Sequence, residues 1–233
     1  MRPITKSILW VSLFAVAMGY LESSVVIYLR ELYYKEGFSF PLKPIEASIA
    51  KVEFFREIAT IIMLIGIGYV SGKTKLQRFA FFTFAFAIWD IFYYVFLYVF
   101  LGWPQSLQTW DILFLVPVPW VGPVWAPCLL SLLMIAGSIF IIKQVNVNPN
   151  YSVKPIHWLL LIGGAALCIF SFMWDYIQFT KSSVSWSVAS HQSLFSEVAT
   201  YIPTTFNYLL FFSGFFLMFY SVIITILKTL KSN

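Results

Sequence analysis

Residues 89–127 read WDIFYYVFLYVFLGWPQSLQTWDILFLVPVPWVGPVWAP. Two Trp-Asp pairs, Trp89-Asp90 and Trp110-Asp111, stand in an otherwise apolar and aromatic run with five prolines at 104, 117, 119, 123 and 127. Asp90 falls at the midpoint of a hydrophobic stretch long enough to cross a bilayer, 79–101. Residues 112–142 are too long for one straight crossing and too short for two. Their prolines cannot all sit inside a regular helix, because proline lacks the amide donor and clashes with the preceding turn. The spacing predicts a proline-broken or re-entrant element up to about residue 124, then a regular helix. Irregular backbone at membrane depth is tolerated only where it is buried in protein or lines a cavity. An intramembrane carboxylate likewise needs a partner, water or a proton.

The rest of the 233-residue chain agrees with that setting. It is 60% hydrophobic and 11% charged, with a mean hydropathy of +0.83. A soluble domain carries about a quarter charged residues. Apolar runs at about 8–29, 54–70, 79–101, 112–142, 156–178 and 201–227 predict an all-α integral membrane protein with six transmembrane helices in a single domain. Nine of the fifteen basic residues (Arg2, Lys6, Lys73, Lys75, Arg78, Lys143, Lys154, Lys228, Lys231) fall on the side that holds both termini, which predicts that side as cytoplasmic. No acidic residue falls there. All ten lie in the loops of the other side or within spans, the intramembrane ones at mid-depth or in the outer half, where seven of the nine tryptophans also fall. The outer half is therefore where chemistry is expected.

Composition excludes several classes. The net charge of +5 comes without a basic face or an RNA-type motif, so nucleic acid is not expected as a partner. His157 and His191 are the only histidines, too few for haem ligation, histidine boxes or an HExxH metalloprotease. Cys128 and Cys168 form no CxxC pair, and iron–sulfur ligation is not expected either. No metal site is predicted. Gly72-Lys73-Thr74 ends like a phosphate loop, but Ile67 stands where that motif needs its first glycine. Gly66, Gly68, Gly163, Gly164 and Gly214 are read as close-packing positions between helices.

The polar residues inside the spans make one constellation. Glu53, Arg56, Glu57 and Thr60 recur at i, i+3, i+4 and i+7 and share a helix face. Glu22 lies near the outer end of the first span, and Asp90 is followed by Tyr93 and Tyr94 on the same side. Asp175, Asn207 and Tyr208 stand in the outer parts of the last two spans. Asp111 is expected at the mouth of a shared cavity, and Trp120 and Trp125, among the prolines, as aromatic walls suited to an apolar group or a cation. These thirteen residues are the candidates for ligand binding. A competing architectural role pairs Arg56 with Glu53 or Glu57 and leaves Asp90 neutral or bonded to a tyrosine.

The pattern WDIFYY, then GWP, then TWDxLFxxPVPWxGPVxAP resembles one found in a family of uncharacterised bacterial polytopic membrane proteins. The ExxRE of Glu53–Glu57 fits the same pattern. The resemblance implies a multi-pass protein of the bacterial inner membrane and brings no activity with it. WVGPVW is also similar to six residues of the tryptophan-rich translocator proteins, whose five helices do not match six spans.

Three functions follow as expectations. The first is an outward-facing intramembrane pocket, lined by carboxylates and aromatics, that binds or moves a small apolar, lipidic or cationic ligand. The second is a membrane-embedded enzyme on a lipid or prenyl substrate, with Glu57 or Asp90 as acid/base. The third is a structural or assembly subunit, meeting other membrane subunits or further copies of itself in the bilayer.

Overall fold

The computed structural model describes residues 3–34, 37–41, 43, 46–114, 118–183 and 200–232. Arg2, Lys35, Glu36, Pro44, Pro117, Trp186, His191 and Glu197 lie outside them. Six long helices carry the chain: α1 (Pro3–Tyr33), α2 (Ala47–Ser71), α3 (Lys75–Leu101), α4 (Trp125–Val147), α5 (Pro155–Ser183) and α6 (Tyr208–Ser232). All six are long and apolar enough to cross a membrane. Most outrun the hydrophobic stretches that announce them. The 31 residues of α1 span about 46 Å at 1.5 Å per residue, well beyond a hydrocarbon core of about 30 Å. Large apolar side chains such as Trp10, Ile62, Val70, Leu132, Ile162 and Leu209 are exposed on the helix surfaces. Such an exterior suits lipid rather than water and fits a multi-pass membrane protein.

Between α3 and α4 the chain does not form a broken helix. It forms an antiparallel hairpin of β1 (Trp110–Phe114) and β2 (Trp120–Pro123). Trp110 faces Pro123, Asp111 faces Gly122 and Ile112 faces Val121, with a bulge before Phe114 meets Trp120. An all-helical reading misses this element. The prolines explain it: Pro119 precedes β2 and Pro123 ends it, at the margins where a strand tolerates a residue without an N–H. Two further bonds extend the pairing, Val124 N to Thr109 O at 3.0 Å and Trp125 N to Leu107 O at 2.9 Å. The helix begins only at Trp125, with Pro127 in its first turn, where proline costs least.

α3 is the central helix and packs on α1, α2 and α4. Thr74 caps its start by accepting from Gln77 N. Gly102, at φ +63°, ends it in the left-handed conformation. Val11, Ala15, Leu64, Phe81, Phe84 and Ile142 form the core around it. Ser23 on α1 donates to Tyr93 O on α3 at 3.0 Å, and Thr83 meets Ser138 on α4 at 2.7 Å.

α5 and α6 make the second unit of the packing. They cross with Gly164 against Gly214, so closely that a Cβ on Gly164 would stand 2.6 Å from the Gly214 carbonyl oxygen. Gly68 gives the same closeness between α2 and α3. Gly66 and Gly163 face open space and take no part in packing. Gly122 is the contact that joins the units through the hairpin: its missing side chain admits the Phe172 ring of α5.

The sixth span starts later than its hydrophobicity suggests. Residues 201–207 are irregular, and α6 begins at Tyr208. Asp175 holds this segment in place. Its two carboxylate oxygens accept from the Tyr201 hydroxyl at 2.8 Å, the Thr204 and Thr205 amides at 3.1 and 3.0 Å, and both threonine hydroxyls at 3.1 and 2.8 Å. A side chain that meets five donors fixes the chain that supplies them.

Candidate functional site

A cavity of about 830 Å³ lies between the α1–α4 group and the α5–α6 pair. That volume is in the range of small-molecule and lipid-chain sites, roughly 300–1,000 Å³. Its two sides differ. From α5 and α6 come Leu161, Ala165, Cys168, Ile169, Phe172, Met218 and Val222, with no charged group among them. Every charged lining residue comes from α1, α2, α3 or the hairpin. α2 and α5 both line the cavity, and these two helices share no packed interface.

Helical periodicity brings the polar side together. On α2, Glu53, Arg56, Glu57 and Thr60 all reach the cavity, as their common face requires. On α1, Glu22, Val26, Leu29, Arg30 and Tyr33 do the same at a spacing of three and four. Arg56 Nη1 donates to Glu22 Oε1 at 2.5 Å and Nε donates to Glu53 Oε2 at 2.7 Å. One guanidinium thus serves two carboxylates, only one of which, Glu53, is among the partners its own helix offered.

α3 contributes Trp89, Asp90, Tyr93 and Tyr94. Asp90 Oδ2 accepts from the Ser131 hydroxyl of α4 at 2.8 Å rather than from a tyrosine. The hairpin contributes Asp111, Phe114 and Trp120. Asp111 does not stand at an exposed mouth; it is only 3% exposed. Burial pushes its carboxyl up to about 6, while Arg30, the Ile112 amide and Tyr94 draw it down. The Arg30 guanidinium, itself buried, lies 3.9 Å from the centre of the Trp103 ring and 4.6 Å from that of Phe38. Aromatic faces, not a carboxylate within ion-pair distance, surround this cation among the described residues.

Three buried polar atoms around the cavity have no hydrogen-bond partner: Trp89 Nε1, Trp120 Nε1 and Asp111 Oδ2. The two indoles flank Phe114, with ring centres 6.5 and 5.3 Å from it. Buried polar groups without partners are rare in folded proteins, and each calls for a cause.

Nine of the thirteen candidates therefore line one space: Glu22, Glu53, Arg56, Glu57, Asp90, Tyr93, Tyr94, Asp111 and Trp120. Trp125, Asp175, Asn207 and Tyr208 do not. Asp175 clamps residues 201–207, and Asn207 caps α6 by accepting from Leu210 N at 3.1 Å. Trp125 stacks on Tyr208 and Phe212 in an aromatic cluster around Phe206 and Phe211, on the far side of the hairpin. The lining also includes Arg30 and Ser131, which the sequence constellation omits. Arg30 was accessible to periodicity, since it falls eight residues after Glu22. Ser131 was not, because a lone serine in an apolar helix carries no directional signal.

Among the described residues no group of three or more His, Cys, Asp or Glu side chains is arranged to hold a metal ion. No family model matches the chain, and neither a curated protein nor a solved structure is detectably similar to it, so its function has to be read from the cavity.

Proposed function

We propose that this chain is a multi-pass membrane protein that holds a single-chain amphiphile in its intramembrane cavity. The chain of the ligand lies against α5 and α6, and its polar end lies among the acids of α1–α3 and the hairpin. The observation that carries this reading is the division of the lining, charged on one wall and uncharged on the other. The proposed lateral route from the bilayer runs between α2 and α5, which share no packed interface. Both termini are cytoplasmic, as the basic residues on that side support. The hairpin is a re-entrant element entering from the outer face, and the pocket opens toward that face. The motif resemblance supports a bacterial inner membrane.

The test is binding by the full chain in phosphatidylcholine nanodiscs. Dodecan-1-ol should raise the melting temperature saturably, by RT ln(1 + [L]/Kd) in stability terms. Ala165→Trp fills the uncharged side of the cavity and should abolish the shift while leaving helicity and the unliganded melt near wild type. A shift that is absent, or that survives Ala165→Trp, sinks the reading and favours a structural subunit.

A further inference from the structure

The charges around the cavity do not balance. Leaving Glu57 aside, Glu22, Glu53, Asp90 and Asp111 among the described lining residues face two arginines, Arg30 and Arg56. Arg56 is committed to Glu22 and Glu53. An anionic headgroup would add to the excess of acid, at a cost that grows in a low-dielectric site. A cation relieves it.

The unsatisfied atoms narrow the choice. Asp111 Oδ2 is buried without a donor, and Asp90 takes its hydrogen bond on Oδ2, leaving Oδ1 for another. A primary ammonium carries three N–H donors and serves both. A quaternary ammonium carries none. Trp89 and Trp120 present the opposite need, two buried N–H groups without an acceptor. Since the acid excess disfavours an anion, the acceptor is a neutral oxygen. Trp89 and Asp90 are neighbours in the chain, and Phe114 bridges Trp89 to the hairpin that carries Asp111. Asp90, Asp111, Trp89 and Trp120 all line the same cavity, Phe114 lies between the two indoles, and the Asp90 and Asp111 carboxyls are near enough to act on each other electrostatically.

We infer that the cavity recognises a long-chain amino alcohol: a protonated primary amine bound by Asp90 and Asp111, beside a hydroxyl oxygen that accepts from the indoles of Trp89 and Trp120. This rests on the pocket reading above and specifies its headgroup.

The experiment compares four probes with one chain length in neutral nanodiscs at pH 7: 2-aminododecan-1-ol, its N,N,N-trimethyl analogue, dodecan-1-ol and dodecanoate. The amino alcohol is expected to bind at least about tenfold tighter than the other three, a difference of about 1.4 kcal/mol. Asp90→Asn and Asp111→Asn should each bring it down to the level at which dodecan-1-ol binds the wild-type chain. Trp120→Phe should weaken the amino alcohol and dodecan-1-ol alike, since both present the hydroxyl oxygen that the indole N–H meets. The inference is overturned if the primary amine binds no better than dodecan-1-ol, or if the trimethylated probe matches it. Those two comparisons use the wild-type chain and decide the matter even where a variant fails to fold. If dodecan-1-ol also fails to bind, the pocket reading falls first.

Discussion

Arg56 on α2 reaches across to Glu22 on α1, and among the described residues this is the one ion pair that links two helices. Removing the guanidinium leaves Glu22 and Glu53 facing each other without it. Breaking a buried pair from one side costs about 3–5 kcal/mol. Arg56→Gln is expected to lower the melting temperature strongly in detergent or nanodiscs. Adding Glu22→Gln and Glu53→Gln to it should restore most of the loss, because three neutral amides can bond to one another. Equal losses for the single and the triple variant would show that the ion pair is not what Arg56 contributes.

Asp175 predicts a loss of stability without loss of binding. Tyr201→Phe removes one bond to a charged acceptor and should cost about 1.5–3 kcal/mol. Asp175→Ala removes the acceptor of five hydrogen bonds at once, one of them from the buried Tyr201 hydroxyl, and should cost more. Neither residue lines the cavity, so amphiphile affinity in the folded fraction should stay at the wild-type value. A ligand titration beside the melting curve checks both halves.

Two adjacent glycines should respond in opposite directions. Gly164→Val would force α5 from α6, with an expected cost of about 3 kcal/mol. Gly163→Ala enters open space and should stabilise α5 by about 0.5–1 kcal/mol through helix propensity alone. Melting curves of the two variants, prepared side by side, settle the sign.

Asp111 should make stability depend on pH. Its carboxyl titrates near 6 in the folded chain, against 3.8 as its ordinary value, raised chiefly by burial. The folded state then binds the proton more tightly than the unfolded one. That contribution is fully present below about pH 4 and is lost as pH rises through 6. Asp111→Asn should therefore be more stable than wild type at pH 8, by on the order of 3 kcal/mol, and nearly equal to it at pH 4. An Asn variant that is less stable at pH 8 would contradict the burial account.

The parts legible in the sequence were those that repeat at helical spacing. Glu53, Arg56, Glu57 and Thr60 announce a face, and the face meets the cavity. Asp90, Tyr93 and Tyr94 do the same on α3. Proline runs are less specific: Pro119 and Pro123 forbid a regular helix but do not say whether a kink, a loop or a hairpin replaces it. The hairpin exists because Trp110–Phe114 and Trp120–Pro123 pair with each other, a pairing that periodicity does not report. Asp175 looked like a site residue because a charged side chain in a span is costly. Its partners stand 26 to 30 residues further on, in a segment whose hydrophobicity imitates helix.

The two ends of α2 are held by different kinds of force. Near its C-terminus Gly68 brings its backbone onto Phe82 and Arg78 of α3, a short-range contact that gives way only if main chains separate. Nearer its N-terminus α2 meets α1 through little besides Arg56 and Glu22. Mechanically α2 is a lever with a hard pivot and a soft latch. Swinging the Arg56 end away from α1 breaks one interhelical ion pair and little packing against α1, whereas the same displacement at the Gly68 end would tear a close-packed crossing. The hold of α1 on α2 is thus set mainly by electrostatics, and it should vary with whatever charge enters beside Arg56.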